Sequence, residues 1–323
     1  MRAVTTTEFG DVDVLRLTEV PTPTAGPGEL RLQVAASGVN RADLLQRRGY
    51  YPPPPGISDI IGLEVSGTVD QVGDGVTGWS AGDAATALIA GGGYAEYVTL
   101  PAGQAAPLPP GVGLVESAAV IETAATVASN LAEAGLKAGE WCLVHGGAGG
   151  IGTFAIPYAK ALGAFVATTV GSPAKAEVCR RLGADVVVDY HDDWAAPIRE
   201  ATGGHGIDVL LDIIGAKYLD DNVRLLARHG RMVVIGLQGG RKGTLDLNRL
   251  LTKNASVTAT SLRLRPVAEK VAIIRLVVDQ VWPLFASGAL QVPPLKLFPI
   301  DQVAAAHSYL DSGAHVGKVV LTW

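Results

Sequence analysis

Glycines 146, 147, 149, 150 and 152 crowd one loop inside WCLVHGGAGGIGTFAIPYAKALG, residues 141–163. Gly146, Gly149 and Gly152 are spaced G-x-x-G-x-x-G, and Gly150 and Ile151 lie between the last two. An apolar run, Trp141 to Val144, enters the loop, and a helix-compatible segment leaves it. Strand, glycine turn and helix, in that order, suit a dinucleotide pyrophosphate. The turn must be tight, the backbone must come close, and the helix N-terminus offers free N–H groups and partial positive charge. The spacing alone is a weak signal in a chain with 40 glycines, and the flanking elements make it a strong one.

The next strand, AFVATTV (164–170), should end where the adenosine ribose lies. An acid there, about 20 residues past the loop, would bind a ribose 2′-OH. No acid occurs from Ala164 to Ala176; Ser172 and Lys175 follow the strand, with Arg180 and Arg181 beyond them. A hydroxyl and a cation suit a 2′-phosphate, so the expected cofactor is NADPH. Lys175 also reads as an exposed lysine at a helix start.

Two further residue types could do chemistry. Asn40 precedes ADLLQRR and can cap that helix, or its amide can bind a reacting group. Tyr51, beside Tyr50 in YYPPPPG, offers a phenol donor and a stacking face. Glu64 reads as a buried structural carboxylate. The two cysteines, 142 and 179, form no C-x-x-C, and the six histidines show no i, i+4 pair, so no metal site is expected.

These residues need elements to hold them. At 323 residues the length suggests about two domains, and 48% hydrophobic content can fill their cores. A net charge of −5 without a basic block argues against nucleic acid or an anionic membrane as partner. The uncharged stretches 97–115 and 141–159 are broken by prolines or glycines and do not read as membrane spans. The N-terminal residues lack a signal-like apolar core, and the expectation is a cytoplasmic protein.

The first hundred residues alternate like short strands, as in ELRLQVAASGV (29–39), EVSGTVDQVG (64–73) and AEYVTL (95–100), and suggest a barrel-like β domain. SAAVIETAATVASNLAEAG (117–135) reads as a helix. From there strands and helices alternate, with helices at 175–184 and 220–230 and strands at 185–190, 207–215, 231–237 and 255–260. That order implies a parallel sheet. Pro157, inside the helix after the glycine loop, predicts a kink or break near Thr153. The tail returns to β character, with a helix at VAAAHSYLDSG and a closing GKVVLTW.

With ASGVNRADLLQRRGYY (36–51), IGLEVSGTV (61–69), GGGYAEYV (91–98), HGGAGGIG (145–152), GADVVVDY (183–190) and GKVVL (317–321), the whole chain resembles the zinc-free quinone oxidoreductases of the medium-chain dehydrogenase/reductase superfamily. The resemblance implies an α/β fold: a GroES-like β-rich catalytic domain over 1–120 and 262–323, and a Rossmann doubly wound parallel sheet over 121–261. It implies that Asn40 and Leu63 stand where zinc-dependent relatives carry ligands. It places Asn40 and Tyr51 near the nicotinamide as the catalytic pair. It adds Thr126, Tyr190, Leu237 and Gly239 as cofactor contacts. Ser261 and Arg263 are expected to close the same pocket, with a solvated basic face as the competing reading. The activity implied is NADPH-dependent reduction of a quinone or activated alkene by a homodimer. Reduction of an enone or enoyl thioester is an alternative, as is a non-enzymatic nucleotide-binding role, since lens crystallins were recruited from this family.

Overall fold

Residues 1–323 are all described in the structure, a computed structural model, and divide into two units: Met1–Ala125 with Leu262–Trp323, and Thr126–Ser261. In the first unit, β1 (Arg2–Thr5) pairs with β2 (Arg16–Glu19). The alternation at 29–39 becomes β3 (Glu29–Val39), whose Leu30, Leu32, Val34 and Ala36 all turn into the core. Helix α1 (Arg41–Arg47) starts immediately after it. β4 (Glu64–Val72), β5 (Ala84–Leu88), β6 (Tyr97–Pro101) and β7 (Ala105–Ala106) extend the sheet, and α2 (Leu114–Ser117) follows. The first division between units falls inside α3 (Ile121–Glu133).

The second unit alternates strand and helix. Its elements are β8 (Trp141–His145), α4 (Gly150–Ala161), β9 (Phe165–Val170), α5 (Pro173–Arg181), β10 (Val186–Asp189), α6 (Ala195–Ala201), β11 (Ile207–Asp212), α7 (Leu219–Leu225), β12 (Leu226–Val234), α8 (Leu247–Lys253) and β13 (Ser256–Ala259). All six strands are parallel, in the order β10-β9-β8-β11-β12-β13. The order reverses at β8, so the loop after β8 opens at the switch point, where such sheets bind ligands. The chain then returns to the first unit with α9 (Val267–Leu276), α10 (Trp282–Ala286), β14 (Leu295–Pro299), α11 (Val303–Asp311) and β15 (Lys318–Thr322). β15 completes the order β14-β15-β3-β4-β5-β7, and β6 also pairs with β3. No helix is long and apolar enough to cross a membrane.

The sequence reading is corrected at three points. Helix α4 runs unbroken past Pro157: Phe154, Ala155, Ile156, Tyr158 and Ala159 are buried, and that packing holds the turn whose hydrogen bond proline removes. The Thr153 hydroxyl donates to the Gly149 carbonyl at 2.9 Å, adding a bond just before it. The helix expected over 220–230 stops at Leu225. Leu226 already pairs with Ile207, and the register then jumps to Val209–Arg231, with His229 left-handed at φ 62° between them. The single helix expected over 117–135 is two, α2 and α3.

Candidate active site

The glycine loop follows from close backbone packing. Gly146 has φ +72°, a conformation glycine adopts without strain. A Cβ on Gly147 would collide with the Thr168 hydroxyl, and one on Gly152 with the Gly147 backbone. Only bare backbone fits, which leaves the amides at the start of α4 open to an anion. Loop and helix start therefore fit a dinucleotide pyrophosphate.

A buried network fixes the loop, and the sequence reading missed it. His145, the last residue of β8, is fully buried, and burial pushes its imidazole down to about 4, so it is neutral. Its Nε2 donates to Asn222 Oδ1 at 2.7 Å, and its Nδ1 accepts from the Thr169 hydroxyl at 3.1 Å. Thr169 Oγ1 in turn accepts the Gly146 N–H at 3.2 Å. The chain from Asn222 thus ends on the first amide of the glycine turn. In the sequence, His145 carried no metal-ligand spacing and so gave no signal.

The other cofactor candidates of this unit lie mostly at the carboxyl ends of the parallel strands. Ser172 follows β9 and accepts the Lys175 N–H at 3.3 Å as N-cap of α5. Lys175 is half-buried, and burial lowers its ammonium pKa. Tyr190 follows β10 and bonds Val170 O through its backbone at 2.9 Å. Its phenol lies over Gly171, where a Cβ would collide with it, so it ends beside Ser172. Ser172, Lys175 and Tyr190 are brought to one corner. Leu237 and Gly239 follow β12; Leu237 is exposed, and Gly239 N bonds Ile214 O at 2.7 Å. Thr126 is buried in α3, and its carbonyl accepts from Asn130 Nδ2 at 2.7 Å. Asn130 Oδ1 accepts the Thr260 hydroxyl at 2.7 Å, which links α3 to the end of β13, next to Ser261.

In the first unit, strand register builds the polar centre. Val39 pairs with Val319, so Lys318 arrives beside Asn40. Ser37 pairs with Val65, so Glu64 arrives across from Gly38. Lys318 Nζ lies 2.6 Å from Asn40 Oδ1 and 2.5 Å from Glu64 Oε1. Asn40 Nδ2 donates to the same Glu64 oxygen at 2.9 Å. Glu64 Oε2 accepts the Glu122 N–H at 3.0 Å and so caps the start of α3. The Lys318 and Glu64 side chains are 3% and 0% exposed. Glu64 is buried, as expected from the sequence. Asn40 stands at the N-cap of α1, but its amide is turned to Glu64 and Lys318, and its oxygen and nitrogen are held apart in one orientation. Lys318 had appeared only inside the closing GKVVL, with nothing local to mark it.

Tyr51 is clamped. Arg263 places its guanidinium 5.2 Å from the Tyr51 ring centroid and donates to Tyr51 O at 3.1 Å, Ala90 O at 2.7 Å and Gln46 Oε1 at 2.8 Å. Arg263 is 4% exposed, so it is no solvated face, and its bonds are made within the first unit. Tyr50 is 74% exposed, which separates it from its clamped neighbour. Beneath Asn40 lies a second buried chain. Asp43 Oδ2 accepts the Asn40 N–H at 2.7 Å and the Tyr94 hydroxyl at 3.0 Å; His307 Nε2 meets Tyr94 at 3.2 Å, and its Nδ1 meets Arg47 at 3.3 Å. Burial raises Asp43 to about 7 and lowers His307 to about 3.

Nowhere do three His, Cys, Asp or Glu side chains come together to hold a metal ion. At Asn40 the partner is an ammonium, which repels a cation. The residues present do not fit a zinc ion.

Two family descriptions match the chain: "Alcohol dehydrogenase GroES-like domain" over residues 26–110 and "Zinc-binding dehydrogenase" over 150–277. The phthioceranic/hydroxyphthioceranic acid synthase of Mycobacterium tuberculosis is 36% identical over 319 residues, 97% of this chain, but the chain spans only 15% of its length. Escherichia coli quinone oxidoreductase, solved with NADPH, superposes with a TM-score of 0.89 at 30% identity, covering 100% of both chains. CurK enoyl reductase superposes at 0.87 with 27% identity, covering 99% of this chain and 98% of its own. An α/β chain with a GroES-like unit, a Rossmann parallel sheet and full-length likeness to a quinone oxidoreductase belongs to the medium-chain dehydrogenase/reductase superfamily of oxidoreductases.

Proposed function

We propose that this oxidoreductase is an NADPH-dependent quinone reductase that works without a metal ion. The observation that carries the reading is the centre at Asn40, where a buried ammonium and carboxylate lock a neutral amide. Such a centre lacks the Lewis acid that alcohol–ketone interconversion draws on. It suits an acceptor that is already electron-poor, whose product anion is stabilised by its own delocalisation.

Bound NADPH would supply the hydride. The glycine loop binds the pyrophosphate, and Ser172, Lys175 and Tyr190 bind the 2′-phosphate. Asn40 keeps a second amide hydrogen beyond the one given to Glu64, and that hydrogen can meet an acceptor oxygen. Tyr51, held by Arg263, offers its phenol and its ring face to a quinone. Catalysis then comes mainly from positioning.

A second reading is enoyl-thioester reduction, favoured by the likeness to CurK enoyl reductase and the identity to the synthase. The discriminating experiment follows NADPH oxidation with 9,10-phenanthrenequinone, with a crotonyl thioester and with no acceptor. Faster turnover with the quinone supports the reading. Faster turnover with the thioester replaces it, and no acceptor-dependent oxidation leaves a nucleotide-binding protein.

We also propose a homodimer. β13 is one of the two edges of the parallel sheet, and Leu247 and Leu251, 69% and 74% exposed, lie on one side of the preceding helix. Light scattering should give about twice 33.3 kDa. A monomer mass would overturn it.

A further inference from the structure

A cavity of about 410 Å³ opens in the first unit, away from the residues bonded to Asn40. Its size falls within the ~300–1,000 Å³ of small-molecule sites. Most of its wall is apolar, with Ile57, Ile60, Ile89 and Val267 among the lining residues. Lys270 also lines it. This lysine, on the first turn of α9, is 5% exposed, and its side chain makes no hydrogen bond, ion pair or ring contact. Its nearest charged influence is another cation, Arg263, which together with burial lowers the ammonium pKa. Arg263 donates only to neutral oxygens, those of Ala90, Tyr51 and Gln46.

One buried side-chain cation, Lys270, therefore lines this cavity with no ion pair. The acids near Lys270 bond to other groups. Glu269, next in sequence, pairs with Arg265, and Glu29, on the cavity lining, accepts the Gly26 N–H. A desolvated charge without a partner is unfavourable. Such a charge is retained where a ligand brings the opposite one.

We infer that this cavity binds an amphipathic monocarboxylate, with its head paired to Lys270 and its acyl body against Ile57, Ile89 and Val267. The buried ammonium of Lys270 matches a negative head, and the apolar wall matches a hydrocarbon chain rather than a sugar or a nucleotide. None of its lining residues is hydrogen-bonded to Asn40.

The test is calorimetric titration of the full chain, without cofactor or quinone, using octanoate and octan-1-ol as probes. Octanoate should bind at least tenfold tighter than octanol. Lys270→Met should weaken octanoate at least tenfold and leave octanol unchanged. Octanoate binding no tighter than octanol, or an unaltered preference in Lys270→Met, would overturn the site. Val267→Trp keeps the ammonium and narrows the cavity, so it should weaken both probes. Unchanged affinities in that variant would also overturn the site. Quinone turnover is measured separately, so failure of either claim leaves the other standing.

Discussion

Removing one member of the Lys318–Glu64 pair strands the other charge in the core, where neither side chain is more than 3% exposed. Lys318→Met is therefore expected to lower stability by about 3–5 kcal/mol in urea denaturation, as when a buried pair is broken. A loss under about 1 kcal/mol, the worth of a surface pair, would mean the two are solvated. Lys175→Ala should weaken NADPH binding by about 1.5–3 kcal/mol, the range for a hydrogen bond to a charged group, and barely change NADH binding. Equal losses for both nucleotides in fluorescence titrations would remove Lys175 from the 2′-phosphate corner. Ser172 and Lys175 could be proposed from the sequence because their position is counted along the chain from the glycine loop. Lys318 could not, because it reaches Asn40 only through the pairing of the last strand with β3, 278 residues away along the chain.

The glycine turn and α4 act as one element. A Cβ at Gly152 would strike the backbone at Gly147 and lie 2.5 Å from Gly146 O, and backbone does not yield as a side-chain tip does. Gly152→Ala should cost about 1–3 kcal/mol of stability and, by opening the turn, weaken both nucleotides together. Unchanged binding would show that the turn is not the pyrophosphate cradle. Periodicity revealed β3, β4 and the alternation of the parallel sheet, because those patterns are local. It failed at 226–230, where an irregular pairing with β11 overrides a helix-like run. It failed again at Pro157, where the buried face of α4 holds the helix straight through a residue that disfavours it. Arg263 was equally illegible as a clamp, since its three acceptors come from separate loops and a helix.

For the molecule as a whole, buried titratable groups set the pH response. His145 and His307 fall to about 4 and about 3, so the unfolded chain binds their protons first, and stability rises with pH until about 6.5. Asp43 acts oppositely. Its carboxyl is raised to about 7, so the folded state holds the proton between about 4 and 7, and stability falls as pH rises through that window. Asp43→Asn removes this residue's share of the fall, leaving that of Asp212, whose carboxyl burial raises to about 6, and can still accept from Asn40 and Tyr94. Relative to the unaltered chain it should gain stability between pH 5 and pH 7.5, by on the order of 1 kcal/mol or more. A constant difference across that range would mean Asp43 is ionised throughout. The two-unit plan, with both chain ends in one unit, was legible from the change of pattern near 117 and 260.

One rate comparison bears on the central claim more than any other. Initial rates of nucleotide oxidation are measured with saturating 9,10-phenanthrenequinone, with NADPH and NADH side by side at equal, subsaturating concentration. NADPH should be oxidised at least tenfold faster, and only when the quinone is present. Equal rates for the two nucleotides, or no quinone-dependent oxidation of either, would contradict it.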